Sequence, residues 1–206
     1  MSRTIKSIIY IVRSLSICSD SGFVLASLVN IIFALDLSLY VIKNYMFSAL
    51  SKKQHALVTS WCIRTENKLH GVLSPAAFLV EIGKVLVAQQ IIADGKQEEF
   101  TKALADLGDV EAAERQVVGT DTPEVSATIF KQWKFEDGLV NVIGNCLNPD
   151  NAEEDDKRTA TILMAVRAAV PINGVVTEDR IMAAKEIIAK YTLNLESIET
   201  AIDTVK

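Results

Sequence analysis

From Ala76 to Ile92 the chain is apolar on nearly every side, with charge only at Glu81 and Lys84. A helix without a polar face has to be enclosed by other elements, so this stretch predicts a central helix inside a core built of more helices. Ser74-Pro75 predicts its start, with serine as N-cap and proline at the first helical position, and Asp94-Gly95 predicts its end.

The flanking sequence supplies the enclosing helices. Ile5, Ile8, Ile9, Val12 and Leu15 recur at mostly three- and four-residue steps. Phe23–Leu50 reads as helical with a bend around Leu35–Ser38, where Asp36 or Ser38 caps a new start. Strand competes for Val24–Phe33, but no turn-bounded partner runs follow at strand spacing. Ser51 is expected to cap a helix that runs to about Leu69, contains Leu57, Trp61 and Ile63, and is terminated by Gly71.

Beyond the centre, Glu98–Leu107 and Val110–Val118 read as shorter helices around Gly108. Thr122 is expected to cap a helix with Pro123 at its first position and Val125, Ile129 and Trp133 on one face. Glu136–Asn145 follows, then an exposed acidic loop, Asn148–Asp156, whose default role is solvation and whose alternative is docking of a basic partner. Lys157–Val170, Glu178–Tyr191 capped by Thr177, and Leu195–Val205 capped by Asn194 complete an all-α multi-helix bundle. The expectation is one domain over residues 1–206.

Composition narrows the function classes. Basic and acidic residues number 21 and 26, for a net charge of -5, and the basic ones are scattered, so the clustered footprint of a nucleic-acid binder is missing. Cys18, Cys62 and Cys146 are widely spaced, with no CxxC pair, which suits buried thiols in a reducing, cytoplasmic compartment. Phe23–Leu35, about 13 residues, is too short for a span of roughly 20, and extending it through Phe47 brings in Asp36 and Lys43; no membrane span is expected. His55 and His70, about 22 Å apart along an ideal helix, read as a solvent-facing residue and a helix C-terminal residue.

Four stretches in order carry a family resemblance: Ile5-Lys6-Ser7-Ile8 through Leu15-Ser16, faintly; Phe78-Leu79-Val80-Glu81-Ile82-Gly83-Lys84-Val85-Leu86; Thr122-Pro123-Glu124-Val125-Ser126-Ala127 through Trp133-Lys134-Phe135-Glu136; and Val142-Ile143-Gly144-Asn145-Cys146-Leu147-Asn148-Pro149. Together these resemble the HDOD family, helical output domains related to HD-type metal-dependent phosphohydrolases. The resemblance covers roughly 140 residues, with residues 1–70 the diverged front portion. It implies an HD/HDOD-like helical bundle from a signal-transduction protein, often bacterial, that acts through protein contacts.

An HD-type hydrolase holds its metal with histidines and an adjacent aspartate, leaving a position open for water. By that resemblance the ligand positions fall on Val80, Glu81, Thr122, Cys146 and Leu147. Valine and leucine have no donor atom, threonine is a poor ligand, and a carboxylate with a soft thiolate is an ill-matched pair. No cofactor, no metal and no catalytic residue are therefore expected, and these positions read as vestigial.

The leading expectation is a non-catalytic signalling or regulatory module that binds another signalling protein or itself, with Trp61 and Trp133 either packed in the core or anchoring that interface. The alternative is a degenerate phosphohydrolase-like fold binding a nucleotide or other anion without turnover, which needs a cation such as Lys84 or Arg115 beside Glu81 and Thr122. A membrane-associated helical protein, the third class, requires an exposed apolar Phe23–Phe47.

Overall fold

A computed structural model describes residues 37–40, 44–203 and 205. Every regular element among them is helical. The expectations for the helices before Asp36, for the first family stretch and for Cys18 lie outside the described residues. The described residues divide into two compact units, one of those up to Asn44 with Glu81–Phe135 and the other of Tyr45–Val80 with those from Glu136 onward.

The first unit holds a 3-10 turn at Ser38–Tyr40 and the helices α3 (Gly83–Ala93), α4 (Gln97–Leu107), α5 (Val110–Val118) and α6 (Thr122–Gln132). α3 is its centre: Gly83, Lys84, Val85, Leu86, Val87, Ala88 and Ile91 are all buried. It packs on α6, and the fit depends on Gly83. A Cβ there would lie 2.2 Å from the Thr122 carbonyl oxygen and 2.7 Å from the Ser126 backbone nitrogen. The Gly83 N–H donates to Ser126 Oγ at 2.7 Å across the same contact. α4 and α5 are joined through Gly108 in the left-handed conformation and by Asp109, whose carboxylate accepts from the Ala112 N–H.

The second unit holds α1 (Asn44–Thr65, whose first residue is the last of the other unit), α2 (His70–Leu79), α7 (Asp137–Asn145), α8 (Glu154–Ala169), α9 (Glu178–Lys190) and α10 (Leu195–Ile202). α8 is small and apolar on its inner faces, burying Ala160, Ile162, Leu163, Ala165, Val166 and Ala169. It contacts α2, α7 and α9. Thr177 caps α9 by accepting from the Arg180 N–H, and Ile198, Ala201, Ile202 and Val205 are buried, as a docked terminal helix requires.

Several local expectations are corrected. Ser51 is not a cap: α1 starts at Asn44 and Ser51 is buried inside it. Gly71 does not end a helix, nor does Ser74-Pro75 start one, because both lie inside α2. Ser74 Oγ is engaged with His55 Nδ1 at 3.1 Å instead of with a helix-start N–H. His55 is accordingly half-buried, and His70 opens a helix where a C-terminal position was expected.

The apolar run is not one continuous α-helix either; a 3-10 turn at Val80–Ile82 separates α2 from α3, immediately before the close approach of Gly83 to α6. Asn67–Ala93 is long and apolar enough to cross a membrane, but 72% of its window is buried in the protein's own interior. Asp121, one residue before the expected Thr122, caps α6, since its carboxylate accepts from the Glu124 N–H at 2.9 Å. The acidic run is also part helix: Glu154, Asp155 and Asp156 form the first turn of α8, where the dipole favours negative charge.

Candidate functional site

Within the first unit a buried ionic cluster forms around Lys84. The residue lies in the first turn of α3, its side chain is 1% exposed, and its ammonium is shared. Nζ stands 3.3 Å from Glu81 Oε2, 3.3 Å from Glu111 Oε1, 3.6 Å from Glu114 Oε1 and 3.2 Å from Thr122 Oγ1. It also lies 5.2 Å from the Tyr40 ring centroid, within reach of a cation–π attraction. Glu81 and Lys84, the only charges in the apolar run, are thus an interior ion pair.

Glu114, on α5, has its own set of donors. Oε1 accepts from the Tyr40 hydroxyl at 2.7 Å and from the Thr122 hydroxyl at 2.8 Å, while Oε2 accepts from the Thr122 N–H at 2.7 Å. Thr122 Oγ accepts from Lys84 and donates to Glu114, which commits its one proton and one of its two lone pairs. Burial raises the Glu114 carboxyl above its ordinary range, opposed by Lys84 and reinforced by Glu111. Burial likewise raises Tyr40 well above the usual phenol range, with Glu114 adding to it.

Of the positions aligned with hydrolase ligands, Glu81 and Thr122 come together here, both within 3.3 Å of Lys84 Nζ. Val80, Cys146 and Leu147 belong to the second unit, with Val80 and Cys146 buried. Cys146 and Cys62 are both buried, and burial, then Glu66, pushes Cys62 up to about 11. Among the described residues no group of three or more His, Cys, Asp or Glu side chains is arranged to hold a metal.

Arg115 projects from α5, ion-paired with Asp121 and 3.7 Å from Glu124. Trp61 is buried in the second unit. Trp133 is half-buried at the end of α6, edge-on to Phe130 at 6.1 Å. Sequence reasoning missed Tyr40, Glu111 and Glu114. The signal for Glu114 was present: it falls on the same stripe of α5 as Ala113, Val117 and Val118, where a carboxylate must find internal donors.

Comparison with known proteins adds to this geometry. Residues 38–149, more than half of the chain, match the family described as HDOD domain. The crystal structure of a virulence factor from Campylobacter jejuni subsp. jejuni is similar with a TM-score of 0.66 at 20% sequence identity, over 84% of this chain and 61% of that one. At that identity the likeness is one of fold, and the chain spans about three fifths of the length of that protein. No curated protein matches.

Proposed function

Because the chain belongs to the HDOD domain family, a family of signalling and regulatory domains, we infer that it is a non-catalytic regulatory module that works by protein contact, either with another signalling protein or with a second copy of itself. One observation carries the non-catalytic reading. The oxygens of Glu81 and Thr122, at positions that would face a metal in a hydrolase, are held by the protein's own Lys84 ammonium. A divalent ion at that point would meet a buried positive charge, and displacing Lys84 from its carboxylates would leave several charges buried without compensation.

The same cluster argues against the anion-binding alternative. Lys84 is committed to three carboxylates and Arg115 to two, so an incoming phosphate would compete with existing ion pairs for either cation. Two fully buried cysteines at wide sequence spacing, Cys62 and Cys146, support a reducing, cytoplasmic setting, which we propose is bacterial.

The test combines calorimetric titration of Mg2+, Mn2+, Zn2+ and a nucleoside triphosphate with a phosphohydrolase assay and a solution molar mass measurement. No heat of stoichiometric binding and no turnover are expected. Micromolar divalent binding that disappears in E81Q, or turnover above the uncatalysed rate, sinks the non-catalytic reading. A monomer over the whole concentration range directs the contact to another protein instead of to self-association.

A further inference from the structure

The donors around Glu114 bind three elements to one side chain. Its carboxylate on α5 ties down the Ser38–Tyr40 turn through the Tyr40 hydroxyl and the start of α6 through both the hydroxyl and the N–H of Thr122. The side chain is 0% exposed. The nearby cation is divided: Lys84 Nζ lies closer to Glu81 and Glu111, at 3.3 Å each, than to Glu114 at 3.6 Å. Glu114 therefore combines complete burial with the most distant share of the ammonium, and the groups facing it are Tyr40 from the turn, Glu81 and Lys84 from the chain entering α3, Glu111 from its own helix and Thr122 from α6.

We propose that Glu114 is a proton-binding group, and that its protonation state makes the attachment of the Tyr40 turn and the start of α6 to α5 sensitive to pH. Both states fit the site. Ionised, the carboxylate takes three donated hydrogen bonds; protonated, it donates to the Tyr40 or Thr122 hydroxyl oxygen after a rotation of that hydroxyl. The raised affinity of Glu114 for its proton, caused first by burial, supports the same assignment.

The sign follows from linkage. A carboxyl whose folded pKa lies above its unfolded value, about 4.3 for glutamate, contributes stability that is fully present below the unfolded value and is lost as pH rises through the folded one. The first unit is thus expected to loosen on the alkaline side of this transition.

The Thr122 amide is the reporter, since it donates directly to Glu114 Oε2. In a 1H–15N titration of the full chain, its resonance is expected to move through a single transition whose midpoint lies above the ordinary glutamate range. E114Q is expected to abolish that transition and to remove the matching pH-dependent fall in the urea midpoint. E111Q is expected to retain the transition at a lower midpoint, because Glu111 is one of the groups that raises it. Should E114Q fail to fold, infrared spectra of the unaltered protein decide: a protonated-carboxylic-acid band persisting above about pH 6, beyond the ordinary glutamate range, supports the proposal, and its absence overturns it. A Thr122 amide that is static between about pH 5 and pH 9, or that titrates at or below the ordinary glutamate value, also overturns it.

Discussion

Gly83 shows how much one residue can be constrained by a neighbour distant in sequence. Two of the three atoms nearest its missing Cβ are backbone, the Thr122 oxygen and the Ser126 nitrogen, so trimming a side chain cannot make room. G83A is expected to destabilise the protein by about 2 kcal/mol, as forced overpacking of a core does, read as a lower urea midpoint at unchanged slope. S126A combined with G83A should not restore it, because the backbone contacts remain. Stability equal to that of the unaltered protein would mean α3 and α6 are not in the close contact described. Nothing local to the Ile82-Gly83-Lys84 sequence announces this requirement. It is created by packing, as is the interior position of Lys84, which reads in sequence as a polar interruption of an apolar helix.

Helix ends were legible where one residue type has one mechanical role. Gly108 and Gly119 adopt positive φ after α4 and α5, Gly95 does so after α3, and Thr177 caps α9 as its sequence context suggests. Legibility failed where two readings share a signature. Ser74-Pro75 has the pattern of a helix start, yet the Ser74 hydroxyl is engaged by His55 and the helix runs through Pro75. The buried surface of α2, with Leu73, Ala76, Ala77 and Leu79 at or below 7% exposure, spans the proline on both sides, and that packing outweighs the lost hydrogen bond. At α6 the failure was a single residue: Asp121 holds the cap, leaving Thr122 to serve Glu114. D121A should therefore cost about 1 to 2 kcal/mol in thermal or urea denaturation, the upper range for a lost cap, because it also strips Arg115 of a partner. D121N, which keeps an acceptor at the cap, should recover most of that loss. Equal losses in the two variants would assign the effect to the Arg115 pair and not to the cap.

At the scale of the molecule, the family match ends at Pro149, but the interior of the second unit does not. α8, beyond that limit, buries Ile162, Leu163 and Val166 and contacts α2 and α7 from within it, so the segment after Pro149 completes a core that the matched residues begin. The three spaced motifs between Phe78 and Pro149 made the helical frame readable, whereas this completion is a matter of burial that no motif records. The chain passes between the units three times, after Asn44, Val80 and Phe135, and each unit has large buried side chains of its own: Phe100 and Phe130 in one, Leu57 and Trp61 in the other. Such an arrangement predicts separable openings. In native-state hydrogen exchange, G83A should speed exchange across α3, α5 and α6 by about 30-fold, the equivalent of 2 kcal/mol, while α8 and α9 keep their protection. A signalling module whose units open independently can expose one surface to a partner while the other remains folded. An equal loss of protection in α8 and α9 would instead make the two units one cooperative body, and regulation by partial opening would have no structural basis.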